Sequence, residues 1–202
     1  MIAIIDYDAG NIFSVLKAVE YVGEKAYLTR DIKDLKNADR IIFPGVGAFG
    51  DCMNQIKQYN LDSVIKEVVD MGIPFLGVCL GMQMIFESSE ENPGVDGLGL
   101  LEGKIKKIPH GEYSKIPQIG WNSLKYPKES RLFKGILEGS FVYFVHSYYL
   151  ESKDRSIVAA TTDYNVLIDA AVEHNNIYGC QFHPEKSGEV GLKIIKNFME
   201  IN

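Results

Sequence analysis

The chain has 202 residues, 46% hydrophobic and 24% charged, with a formal net charge of −6. This suits one domain with a core large enough to need no disulfide staples. No run of Lys or Arg is long enough to track a phosphate backbone, which argues against nucleic acid. No apolar stretch is long enough to cross a bilayer. The apolar start is short and runs straight into Asp6 and Asp8, unlike a secretion signal, so the protein is expected to be cytoplasmic. Three cysteines at wide spacing, Cys52, Cys79 and Cys180, do not form a disulfide framework. Cys180 and His183 stand three apart but lack two further ligands at matching spacing, so neither metal nor cofactor is expected.

Ile2 to Ile5 is a β-branched run typical of a strand covered on both faces. After a turn from Tyr7 to Asn11, Ile12, Val15, Leu16, Val19 and Val22 fall at helical spacing. Lys25 to Thr29 and Arg40 to Phe43 read as strands, the second ended by Pro44 and Gly45. A long helical region follows, interrupted near Asn60. Phe75 to Val78 is the next strand, with helix from Cys79 to about Ser88. Strand and helix thus alternate through the first ninety residues, which predicts an α/β fold with a mostly parallel central sheet between two helical layers.

The middle reads differently. Glu91 to Gly99 is a loop, and residues 103–126 hold short strand-like pieces among prolines. Phe141 to Leu150 reads as one aromatic strand, followed by strands over Ile157 to Thr161, Ala170 to Glu173 and Tyr178 to Phe182. These make a smaller antiparallel portion. Val190, Ile194, Ile195, Phe198 and Met199 mark a closing helix. The whole chain, 1–202, reads as a single domain.

Ligands of parallel sheets bind beyond the carboxyl ends of the strands. Three sequence features fall at that edge. Gly77-Val78-Cys79-Leu80-Gly81 runs from strand to helix with a nucleophile between glycines, the layout that lifts a side chain above the sheet and sets a helix start behind it. The Leu80 N–H would then face a tetrahedral oxyanion. A buried structural cysteine fits the same pentapeptide. Gln181-Phe182-His183-Pro184-Glu185 ends a strand in an imidazole with a carboxylate two residues on, suited to fixing its tautomer; a surface turn is the bland alternative. Pro44-Gly45-Val46-Gly47 follows a buried strand and could offer a second oxyanion N–H. Gly45-x-Gly47-x-x-Gly50 also fits the dinucleotide fingerprint, but it follows an inner strand and lacks the ribose-binding acid.

Together these segments resemble the class I glutamine amidotransferase family, whose catalytic set is Cys, His and Glu in that order. Within that family the chain is similar to the glutaminase subunits of imidazole glycerol phosphate synthases. The matching stretches are Ile4 to Tyr7 with Ala9-Gly10-Asn11, then Pro44 to Gly47, Gly77 to Gln83, Gly120-Trp121-Asn122, Tyr143 to Tyr148 and Gln181 to Ser187. The resemblance implies Cys79 as nucleophile, His183 as proton carrier and Glu185 as its orienting group. It implies an oxyanion site from Leu80 and the Gly45-Val46 peptide. Gly47, Gln83, Ser147 and Tyr148 would hold glutamine. Asn11, Trp121, Tyr143 and Lys186 would face a partner: a (β/α)8-barrel cyclase in a heterodimer, which receives the ammonia.

Two positions depart from the family pattern. Asp8 stands where glycine is usual, and Gln118 where histidine is expected. They motivate an alternative acceptor for the ammonia, a sugar amidotransferase of surface-glycan synthesis. Cys52 and Cys180 are expected to be structural, and His146 to be a buried, hydrogen-bonded support near the glutamine pocket.

Overall fold

The structure, a computed structural model, describes residues 1–8, 12–111 and 115–201. In chain order the elements are β1 (Ile2–Ile5), α1 (Ile12–Tyr21), β2 (Ala26–Thr29), α2 (Ile32–Lys36) and β3 (Arg40–Gly45). Next come α3 (Phe49–Gln58), α4 (Leu61–Asp70), β4 (Phe75–Cys79), α5 (Leu80–Met84) and β5 (Ser88–Ser89). Then β6 (Gly103–Lys107), β7 (Gln118–Ser123), β8 (Phe141–His146) and β9 (Tyr148–Ser152) form the middle of the chain. The chain closes with β10 (Val158–Tyr164), β11 (Val166–His174), β12 (Ile177–Cys180) and α6 (Gly188–Met199).

Seven strands form the central sheet in the order β10-β11-β12-β4-β3-β1-β2. The five from β12 to β2 run parallel, and β10 and β11 add an antiparallel edge. Each inner strand is apolar on both faces because helices cover both sides. In β1, Ala3 and Ile5 point into one core with Cys52, Met53 and Ile56 of α3 and Val64, Ile65 and Val68 of α4. Ile2 and Ile4 point into the other, with Val15 and Val19 of α1 and Ile194, Ile195 and Phe198 of α6. The period-two alternation of a strand thus sorts one short run into two cores. Two small sheets, β5-β6-β9 and β7-β8, stand apart from the central one.

Several boundaries differ from the sequence reading. The helix after Cys79 stops at Met84 instead of Ser88. Residues 97–101 turn back and donate N–H groups to the carbonyls of Met84, Ile85, Phe86 and Glu87, which continued helix would have used. Strand β3 runs through Pro44 and Gly45. Pairing with β1 ends at Ile42, so one edge of β3 is vacant where proline lacks its N–H. The aromatic run Phe141 to Leu150 is two strands in two sheets, divided at Ser147. The last strand ends at Cys180, and Gln181 N–H makes one more bond to β11, at Ala170 O, before the chain leaves the sheet. The interruption near Asn60 is present: that residue takes a left-handed conformation, φ 55°, between α3 and α4.

Candidate active site

Strand β4 delivers Cys79 with φ 54° and ψ −112°. A non-glycine residue in that region is strained and persists only where its surroundings enforce it. The surroundings here are close backbones. A Cβ on Gly81 would lie 1.9 Å from Phe43 O, and one on Gly77 would meet Met82 backbone atoms at 2.8 Å. The turn is therefore driven down between neighbouring strands, with Cys79 above it.

Strand β12 is the parallel neighbour of β4, with Cys180 opposite Val78. The segment leaving β12 is thereby brought alongside Cys79, held by one backbone bond and two bonds of the Ser187 hydroxyl. His183 N–H donates to Tyr143 O at 2.9 Å, Tyr143 N–H donates to Ser187 Oγ at 3.0 Å, and the Ser187 hydroxyl donates to His183 O at 2.6 Å. The His183 ring is 2.7 Å from Glu185 Oε1 through Nδ1. Both side chains are almost wholly buried. Burial alone would pull the imidazole pKa down. Its hydrogen bonds to Cys79 and to Glu185 outweigh that and push it up to about 10, so the ring carries its proton at neutral pH.

A cavity of about 420 Å³ opens over these groups. Of the residues singled out in the sequence, Cys79, Leu80, Val46, Gly47, Gln83, Ser147, Tyr148 and His183 line it, together with Lys186. Glu185 sits behind His183, on the wall of a separate void of about 10 Å³ that Gly45 also lines. Gly45 pairs with Cys79 across β3 and β4. Lys186, expected at the partner face, is exposed at this cavity. Trp121 and Tyr143 lie away from it on β7 and β8, their rings edge to face at 6.1 Å. Asn11 lies outside the described residues, as do Ala9 and Gly10.

Two further side chains belong to the site and escaped the sequence reading. Gln181 is fully buried, its Nε2 3.8 Å from Cys79 Sγ, and its Oε1 accepts from Gln83 Nε2 at 2.8 Å. Gln83 Nε2 also reaches Tyr148 O at 3.0 Å. Gln181 lies past the end of β12, and its place in the site shows only through Cys79 and Gln83, both distant in sequence. Glu91 also lines the cavity, with Oε2 accepting from Phe49 N–H at 2.8 Å. It lies in a loop rich in acids and glycine, where no pattern singles out one carboxylate.

The family model for glutamine amidotransferase class-I matches residues 3–201. The chain belongs to the class I glutamine amidotransferase family. Among curated relatives, the imidazole glycerol phosphate synthase subunit HisH of Bacillus cereus (strain G9842) is 48% identical over 201 residues, covering 100% of this chain and 95% of that protein. The HisH subunit of Caldanaerobacter subterraneus subsp. tengcongensis is 47% identical over 201 residues, covering 100% and 98%. The fold is shared more widely. The solved structure of PurLQS from Thermotoga maritima superposes with a TM-score of 0.77 at 19% identity, covering 98% of this chain and 97% of that one. This amidotransferase therefore has near relatives among synthase subunits and shares its fold with structures of much lower identity.

Among the described residues, no helix is long and apolar enough to cross a membrane.

Proposed function

We propose that this chain is the glutaminase subunit of an imidazole glycerol phosphate synthase in histidine biosynthesis, working through Cys79, His183 and Glu185. The observation that carries the reading is a cysteine sulfur and an imidazole backed by a buried carboxylate at one substrate-sized cavity on the carboxyl edge of a parallel sheet. Near full-length identity of 47–48% to HisH subunits supports the choice of partner and pathway.

In this mechanism the Cys79 sulfur attacks the side-chain amide carbon of glutamine. Negative charge moves to the carbonyl oxygen, where the Leu80 N–H and an N–H of the 45–46 peptide receive it. His183 gives its proton to the amide nitrogen, the carbon–nitrogen bond breaks, and ammonia leaves a thioester on Cys79. Water then attacks the thioester while His183 takes up its proton. Glutamate departs, and the sulfur leaves as it attacked, as the thiolate beside a His183 that again carries its proton. Glu185 keeps the ring in the tautomer that both steps need. Gln83, Ser147 and Tyr148 hold the substrate, and the Glu91 carboxylate is suited to its α-ammonium group.

The ammonia passes to a (β/α)8-barrel cyclase bound as a heterodimer in the cytoplasm. An exposed apolar face supports such a partner: Ile119, Trp121 and Phe141 are each more than half exposed on the β7-β8 ribbon beside Tyr143. The two departures from the family pattern do not demand another acceptor, because each has a local role. Asp8 takes the left-handed conformation usual for glycine, φ 63°, and its carboxylate receives Arg30, Gln55 and Tyr59. Gln118 meets His146 Nε2 at 3.0 Å. Mixing the purified chain with the cyclase, glutamine and the ribonucleotide substrate should yield glutamate and imidazole glycerol phosphate together. No gain over the isolated chain would overturn the reading.

A further inference from the structure

The 44–47 segment is held at two carbonyls. The Tyr7 hydroxyl donates to Pro44 O at 2.8 Å. The Cys52 thiol, one helical turn into α3, donates to Val46 O at 3.5 Å. Tyr7 and Cys52 lie in one core, and each spends its single proton on its own carbonyl of the same segment. Both are buried, and burial raises both pKa values, which keeps the O–H and S–H protons in place. Between the two held carbonyls lies a single peptide, Gly45–Val46.

That peptide is built to turn. Gly45 has no Cβ and tolerates none: one would lie 2.6 Å from Gly81 N and 2.9 Å from the Tyr7 hydroxyl oxygen. A peptide plane can rotate like a crank, through ψ of one residue and φ of the next, without moving its neighbours. The cavity over Cys79 leaves room on one side of Val46, and a small void of about 10 Å³ shared with Val15 and Glu185 lies on the other. The flanking peptides have no such freedom while their carbonyls are engaged.

We propose that Tyr7 and Cys52 are positioning residues: a two-point clamp that fixes the flanks of the Gly45–Val46 peptide and so confines its motion to the one N–H that faces the oxyanion. The proposal rests on the glutaminase reading for its catalytic consequence. Neither residue touches substrate. Loss of the clamp blurs the aim of the N–H in the transition state more than it weakens ground-state binding, because Gln83, Ser147 and Tyr148 still hold glutamine.

The test uses the enzyme assembled with its synthase partner. Tyr7→Phe and Cys52→Ala should each lower kcat roughly tenfold, a fraction of the roughly 10²–10³ that outright loss of an oxyanion donor costs. KM for glutamine should stay within about twofold, since most of the contacts that hold the substrate are untouched. Cys52→Ser, which keeps a donor, should recover most of the rate. The double variant should fall little further than the worse single one, because the clamp is one unit. On the isolated chain, backbone amides of Val46 and Gly47 should exchange faster in Tyr7→Phe. Folded variants with wild-type kcat and unchanged exchange overturn the clamp, as does a rise in KM that accounts for the whole loss. Should the unaltered assembly release no glutamate, the glutaminase reading fails, and the exchange measurement still decides the clamp.

Discussion

Two walls of the same cavity each present a buried histidine, and the two titrate in opposite directions. On the wall built from β4 and the segment after β12, His183 is flanked by Cys79 and Glu185, and its pKa is pushed up to about 10. On the wall built from the β7-β8 ribbon, His146 has no acidic partner among the described residues. Its Nδ1 lies 2.8 Å from Tyr148 O and its Nε2 3.0 Å from the Gln118 amide. Burial pulls it down to about 4, against the smaller upward pull of that carbonyl, and the charge of His183 lowers it further. Burial is much alike in the two, 2% and 6% exposed, so it does not distinguish them. The acidic partners do. One ring holds a proton at neutral pH and can hand it over; the other is an uncharged strut.

The largest test of this contrast is activity. Cys79→Ala should cut glutamate release by at least ~10⁴-fold in the assembled enzyme, as loss of a nucleophile does. His183→Gln should cut it by roughly 10³. His146→Gln should cost less than about tenfold, because a ring without a mobile proton supplies support only. Equal losses at 146 and 183 would erase the distinction drawn here.

The titrations themselves give the next test. Proton NMR of the ring hydrogens should show His183 charged through neutral pH. Cys79→Ala should drop its pKa most, since the bond to Cys79 is the larger of the two upward causes, and Glu185→Gln should drop it less. His146 should move less and in the opposite direction, since the His183 charge is the smallest of its causes. A His183 pKa that ignores both substitutions would mean that the groups do not interact.

How much of this could be read from the chain alone depends on which wall is considered. The Cys79 turn announced itself because its requirements are local: a strand, two glycines that nothing else could replace, and a helix start. Asn60 likewise marked a helix break by its own preference for the left-handed region. The ribbon wall is nonlocal. Phe141 to Leu150 is one continuous apolar run, and nothing in its hydropathy says that Ser147 is where the chain passes from one sheet to another. Gln181 was missed because its meaning lies in Gln83, 98 positions away. Asp8 and Gln118 looked like exceptions for the same reason: Arg30 and His146, which give them a role, are distant in sequence.

The same contrast sets two limbs of a stability profile. His146 has a folded pKa below its unfolded value of roughly 6.5. The unfolded chain therefore binds more protons between pH 6.5 and 4, so its effect is absent above 6.5 and destabilises progressively as pH falls to 4. At about 1.4 kcal/mol per unit the full cost is about 3 kcal/mol. His183 runs the other way: its contribution is full below 6.5 and is lost as pH rises through 10. Urea unfolding at pH 7 and 4.5 should show a steeper acid loss for the unaltered protein than for His146→Gln. Parallel profiles would count against a neutral buried ring.

The smallest effect concerns the outer side of the ribbon. Its inward face carries Val142, Phe144 and His146, all buried, while Ile119, Trp121 and Phe141 are exposed on the outside. A large aromatic half in water on a two-stranded sheet is weakly held unless something covers it, and such residues dominate binding when buried at an interface centre. Trp121→Ala should weaken binding of the cyclase by about 2 kcal/mol, roughly 30-fold in Kd by titration calorimetry. Yet Trp121 pairs with Tyr143, whose backbone holds His183 and Ser187 in place. If Trp121 serves only to dock, kcat at saturating partner should stay at the wild-type value. If instead saturation leaves kcat low, the ribbon transmits as well as binds, and its two faces are less independent than their opposite exposures suggest.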